Sequence, residues 1–266
     1  MFRRALLAAV CLGLTGLYPA AAGEGKGKAV ELVQKRLGEL KAPQAKVEAV
    51  KDATITKAFP GVEFVAVHFR IWPVAIAPPA PLRSQNLFAV DKDSKLHHFT
   101  DAKDLEGFAR AALAPSPNDE SARAAVKAWL LLSQQFVQDG FYKFKVNEES
   151  VMMSKSSAGK RVAIGTLDVV PEGGNKGTLT ASLGFDQAGK FTGASEQNKV
   201  VRGIRPRCQA THLLHPDPVL RAVCEDSLLV LGRRAHDYLM EQRQTAGPEL
   251  RQAIDRIWKR IVDEGR

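Results

Sequence analysis

Past its first 23 residues the chain has no long hydrophobic run, so no second segment is expected to cross a bilayer as a helix. It also has no run of five like charges, although its formal net charge is +9. Basic residues are scattered among acids, so the excess reads first as a solvated surface. A patch for anionic lipid, acidic polysaccharide or nucleic acid is the second reading. Aromatic and basic residues do not interleave, which argues against a stacking platform for single-stranded nucleic acid. Cysteine is scarce: there are three, and Cys11 lies in the N-terminal hydrophobic run. The other two, Cys208 and Cys224, permit one disulfide in an oxidising compartment, worth about 3 kcal/mol in the loop-entropy account.

Motifs that carry chemistry are missing as well. There is no Gly-x-Ser-x-Gly nucleophile turn. Ser157-Ala158-Gly159-Lys160 has Ser-x-x-Lys spacing, but it falls in a turn before a strand, where no helix start aims the lysine at the serine. The stretch Glu172-Gly173-Gly174-Asn175-Lys176-Gly177 lacks the spacing and following helix of a phosphate loop and reads as a hairpin loop. Asp91-Lys92-Asp93 begins like a calcium loop, yet Leu96 stands where glycine is required and no glutamate closes it, so a turn is expected. Glu148 and Glu149 are neighbours in a loop rather than a carboxylate pair across a cleft. The sequence therefore assigns no catalytic and no cofactor-binding residue.

One cluster has the donor set of a metal site. Cys208, His212, His215 and Cys224 offer two thiolates and two imidazoles, which suits tetrahedral zinc. On a helix through 209–214, Cys208, His212 and His215 would share a face. The spacing matches no standard finger, and Cys224 falls on an apolar helix face. A Cys208–Cys224 disulfide or packed thiols is thus preferred over zinc. His97 and His98, adjacent on a strand, point to opposite faces and cannot share a ligand. His68 shares a face with Phe64 and reads as structural; His236, beside Arg233 and Arg234, reads as solvated.

What is present begins with a leader. Arg3 and Arg4 precede an apolar stretch from Leu6 to Leu17, and Ala20-Ala21-Ala22 supplies small residues before Gly23. This pattern predicts a secretory signal over 1–22, leaving about 244 residues in an exported, periplasmic or extracellular protein. The spacing then predicts a helix over 29–50 that Pro43 ends or interrupts, and a strand near 54–59. Pro60-Gly61 turns the chain into a strand over 62–72, with Val65, Val67, Phe69 and Ile71 on one face. Proline removes ladder donors from 73–81, which becomes an extended connector. A hairpin over 85–90 and 96–99 and a helix over 102–113 capped by Asp101 complete the first unit.

The clearest linker is 114–120, and after it the organisation repeats. A helix is expected over 121–139, with Ala122, Ala125, Val126, Trp129, Leu132, Ser133, Phe136 and Val137 in one stripe. Strands follow near 141–146, 151–154, 161–170, 177–185 and 190–195. "FAVDKDSKLHHF" in the first half echoes "LGFDQAGKFTGA" in the second. The expected fold is α+β: helix-plus-antiparallel-sheet units over 23–113 and 121–203, possible halves of a duplication, then an all-helical cap over 204–266. A helix against a curved sheet resembles cystatin-like and nuclear-transport-factor-like architectures, although Gln197 to Gly203 does not fit the cystatin inhibitory loop.

In the last segment Asp217-Pro218 opens a helix and Gly232 breaks it. Leu220, Val223, Cys224, Leu228 and Leu231 are expected inward, and the final helix should bury Leu250, Ala253, Ile254, Ile257, Trp258 and Ile261. Asp217-Pro218, Arg221, Leu228, Leu231-Gly232, Ala235 and Leu239 resemble a single HEAT-like repeat, over about 216–261. The resemblance implies a packed helical hairpin and a role in holding partners. A lone repeat cannot bury both faces, so it is expected to dock on the sheets. The function expected is an exported, soluble, non-catalytic binding or assembly protein of the cell envelope, with a protein or anionic envelope component as partner. Contact surfaces would be the connector 72–81 and the basic face of the last helix. The alternatives are a hydrolase or transferase whose site forms only in the fold, and a metal protein at the Cys/His cluster.

Overall fold

A computed structural model describes residues 27–71, 75–155, 160–171, 174–204 and 209–266. The expected leader, the Ser157–Gly159 turn, Glu172–Gly173, Trp72–Val74 and Cys208 lie outside the described residues. The fold is α+β. Seven helices and two four-stranded antiparallel sheets are described, each sheet a meander in chain order, with the last helices forming a C-terminal helical region. No helix among the described residues is long and apolar enough to cross a membrane.

The first unit starts with α1 (Lys28–Glu39), whose Val30, Val33 and Leu37 are buried. The helix ends there, and 46–50 is strand β1 rather than the second half of a long helix. Val47 and Val50 fit either periodicity; antiparallel pairing with β2 (Glu63–His68) decides in favour of strand. The expected strand near 54–59 is also corrected: it is the short helix α2 (Ala53–Ala58). The Asp52 side chain accepts from the Thr54 N–H at 2.7 Å and starts the turn, which buries Ile55, Ala58 and Phe59 together. The hairpin of β3 (Gln85–Val90) and β4 (Leu96–Phe99) and the helix α3 (Ala102–Ala112) form where expected, with Asp101 capping two N–H groups.

The sheet formed by β1–β4, here sheet A, is covered on both faces. Val65, Val67, Phe69, Phe88 and Val90 pack with α1, while Phe64, Leu87, Ala89 and Phe99 face a second core. In the described part of the connector, Ile76 and Leu82 pack against the α1 side. The second core runs from Ile55 to Phe191 and is common to both units. Its centre is α4 (Asp119–Ser133), capped by Asn118 and continued by a 3-10 turn through Gln134–Phe136. Against it lie β5 (Phe144–Lys155), β6 (Arg161–Val169), β7 (Thr178–Phe185) and β8 (Phe191–Asn198). The two strands expected at 141–146 and 151–154 are one strand with a bulge between Asn147 and Met152. On β6 and β7 every second residue is buried, as one face on a helix requires.

The segment between the units is tied to both. The Ala114 N–H donates to the Ala58 carbonyl at 2.8 Å, and the Ser116 N–H to the Gly189 carbonyl at 2.8 Å. Ser116 is 2% exposed, and its carbonyl also accepts from the buried Arg161 guanidinium. Gly189, with φ +81°, lets the β7–β8 turn approach so closely that a Cβ there would lie 2.5 Å from the Ser116 carbonyl. The two echoing hairpins share one hydrogen-bond pattern: Asp91 bonds Lys95 as Asp186 bonds Lys190, through backbone and carboxylate alike.

The helical region comprises a 3-10 turn (Ala210–Leu214), α5 (Pro218–Leu231), α6 (His236–Thr245) and α7 (Pro248–Asp263). Among the described residues its buried side chains, from Ala210 to Ile261, form a cluster of their own. The 3-10 turn closes that core by packing on both α5 and α7. The Ala210 N–H donates to the Tyr238 hydroxyl at 2.8 Å.

Candidate functional site

Two surfaces stand out, a cleft beside sheet A and an apolar face on α5. The cleft forms because β4 is an edge strand, bonded to β3 alone, and α3 turns back beside it. Thr100 and Asp101 make that reversal: the Asp101 carboxylate caps α3, and the Thr100 N–H and hydroxyl donate to Asp104 at 2.9 Å each. The space between them is about 870 Å³. Its floor is His97 and Phe99, one wall is Phe108, Ala111 and Leu113 of α3, and the other is Pro60 and Val62 with the Asp91-Lys92 turn.

His97 and His98 do point apart. His98 stacks on Phe88, centroids 4.5 Å apart, and its Nε2–H donates to Asn86 Oδ1 at 3.0 Å. Burial holds the His98 ring below its ordinary proton affinity. His97 turns toward α3. Its ring lies 4.8 Å from Phe108, and its Nε2–H donates to Asp91 Oδ2 at 3.0 Å. Both partners are 24% exposed at the side chain. The Asp91 carboxylate is held below the usual range, first by the His97 hydrogen bond and then by the Lys95 N–H. An imidazole oriented by a carboxylate at the edge of a cleft can accept a hydrogen bond or a proton from a ligand. Asp91-Lys92-Asp93 is a turn, as expected: its Oδ1 accepts from the Asp93 and Lys95 N–H groups.

Sequence reasoning also missed a carboxylate on the central helix. Glu196, opposite Ala181 on the inward side of β8, reaches over α4, where the Trp129 indole N–H and the Ser133 hydroxyl both donate to its Oε1. The glutamate as a whole is exposed, but that oxygen sits against buried neighbours. Desolvation raises its pKa, partly offset by the two donors. His68 faces a polar recess of about 580 Å³ with Arg70, Gln138 and Asp139, and its Nε2–H donates to the Gln135 carbonyl at 3.3 Å. Glu148 pairs with Lys127 and not with another carboxylate.

Of the Cys/His cluster, the structure brings His212 and His215 together, edge to face with centroids 5.7 Å apart. His215 Nδ1 accepts from the Asp217 N–H at 3.1 Å. Cys224 is fully buried in the helical core, and its thiol donates to the Gln209 carbonyl at 3.3 Å. Cys208 lies outside the described residues, among which no three His, Cys, Asp or Glu side chains are grouped to hold a metal. His236 contacts Trp258 and hydrogen-bonds Asp237.

The α5 face corrects the expected orientation of that helix. Cys224, Leu228 and Leu229 are inward, while Leu220 and Val223, expected inward, are exposed. The 3-10 turn and α7 occupy the face that carries Cys224 and Leu228, which rotates Val219 (66% exposed), Val223 (48%) and Val230 (77%) outward on one stripe. The basic residues Arg251, Arg256 and Lys259 of α7 are exposed, as expected. No family model, no curated protein and no solved structure matches this chain.

Proposed function

We propose that the protein is an exported binding or assembly factor of the cell envelope that engages a protein partner through α5. The observation that carries this reading is the exposed stripe Val219, Leu220, Val223 and Val230. Val219, Val223 and Val230, at i, i+4 and i+11, fall within about 40° of one another on the helix, with the exposed Asp226 at i+7 between them. Solvated valines contribute nothing to the folded core, and a contiguous apolar face is where soluble proteins meet partners. The helix can serve as a platform because its other face is fixed in a core that the helical region builds from its own residues. Export rests on the charged, apolar and small-residue order of residues 1–22.

The test is parallel capture from envelope extracts by wild type and by Val223→Asp/Val230→Asp. Both positions face water, so the pair should leave the thermal midpoint within about 2 °C of wild type, as surface changes usually do. A partner held by wild type should be reduced at least ten-fold with the variant, because two charges would be buried without counterparts. Equal recovery by both proteins, or no specific partner at any salt concentration, would end this reading.

A further inference from the structure

The geometry points to a ligand site in the cleft between β4 and α3, for a small, uncharged, largely apolar molecule carrying one hydroxyl or phenol group. This is independent of the α5 face. The cleft, about 870 Å³, is within the range that accepts such molecules, and Phe108, Val62 and Leu113 give it apolar walls. Its polar groups are nearly all committed. Asp91 accepts from His97 and from two backbone N–H groups, and Asp104 accepts from Thr100 twice. Lys92 on the rim offsets one of these two carboxylates, and both are already engaged by neighbouring N–H and O–H donors.

An acceptor left uncommitted is His97 Nδ1. A carboxylate can only accept, so the hydrogen bond to Asp91 places the proton on Nε2. In the neutral ring Nδ1 is then a bare acceptor, and no hydrogen bond reaches it among the described residues. Its complement is a donor, and among walls that are largely apolar a neutral O–H group is less costly to desolvate than a charged donor. The ring's place beside Phe108 adds an aromatic surface for the body of the ligand. Gly107 agrees with this. It interrupts the middle of α3 with one of the weakest helix formers, and a Cβ there would meet nothing within 4 Å. The space beside it is the cleft.

Equilibrium dialysis of the purified protein with 2-naphthol and with 2-methylnaphthalene, which differ by hydroxyl against methyl, tests the assignment. Wild type should bind the naphthol about ten-fold more tightly, the worth of one hydrogen bond in a dry site. His97→Phe should bring the two ligands to within about two-fold. Gly107→Leu should abolish binding of both while leaving the thermal midpoint unchanged or higher, since it fills the cleft from a helix that prefers leucine. No saturable binding by wild type, equal affinity for the two ligands, or unaltered binding by Gly107→Leu overturns the proposal. The wild-type preference and the leucine variant decide the matter even if His97→Phe fails to fold.

Discussion

His68 ends β2 with its ring against the last carbonyls of the α4 extension. Burial lowers its pKa, and the Gln135 carbonyl and Glu48 only partly restore it; His98 is lowered by burial too. Each ring therefore binds fewer protons folded than unfolded. Its contribution to stability is complete above the ordinary histidine value near 6.5 and is lost as pH falls through the lower folded value. The carboxylates of Asp91, Asp104, Asp255 and Glu264 are also depressed, so their contributions are lost only at more acid pH, below the ordinary carboxylate range near 4. Glu196 acts oppositely: its raised pKa favours folding at low pH and loses that advantage as pH rises. Urea midpoints should fall between pH 7 and pH 5, and His68→Gln, which keeps a donor for Gln135, should flatten that fall. An unchanged slope in the variant would locate the titration elsewhere. At this scale the sequence exposed what is local: Asp101 and Asp217 cap the helices that follow them, whereas the caps at Asp52 and Asn118 emerged only in the fold. It could not pair His97 with Asp91 across a turn, nor Glu196 with Trp129, which lie 67 positions apart.

Among the elements, α4 governs how close the two units come. It packs on β5, β6 and β7 on one side and α2 on another, and Gly165 in mid-β6 permits the approach. A Cβ at Gly165 would stand 3.1 Å from Leu130 and 3.4 Å from Val126. Gly165→Val adds volume where neither neighbour has room. It should cost about 1–3 kcal/mol in urea unfolding, the usual effect of overpacking. A loss below about 0.5 kcal/mol would mean that helix and sheet separate freely. The α4 stripe was legible because Ala122, Ala125, Val126, Trp129, Leu132 and Ser133, all buried, repeat at helical spacing; Phe136 and Val137, expected in the same stripe, lie past the helix end and are half-buried. Six residues at 53–58 with Ile55 and two threonines carried too short a pattern to distinguish helix from strand, and their packing on α4 settled it. At α5 the sequence located the helix and both breaks but misplaced its inward face, because too many positions are apolar to define one stripe.

The described residues form three cores: one spanning both sheets through α4, one inside the helical region, and one between α1 and β1–β3. Trp129 reports on the first and Trp258 on the second. Ile254→Ala empties a fully buried site and should cost about 2–5 kcal/mol locally. Followed by fluorescence of single-tryptophan variants, it should advance unfolding at Trp258 and leave the Trp129 transition in place. Coincident shifts would show one cooperative unit. The hairpins of Asp91 and Asp186 share one hydrogen-bond pattern, and each closes a four-strand meander. By itself the sequence determined the α+β class, the order of the long elements, the caps at Asp101 and Asp217 and the β3–β4 hairpin, because each follows from the period and chemistry of neighbouring residues. Tertiary structure alone decided that 46–50 is strand and 53–58 helix, which face of α5 stays wet, and that a cleft opens between β4 and α3. These depend on which distant surface covers a segment, and short apolar patterns are compatible with more than one cover.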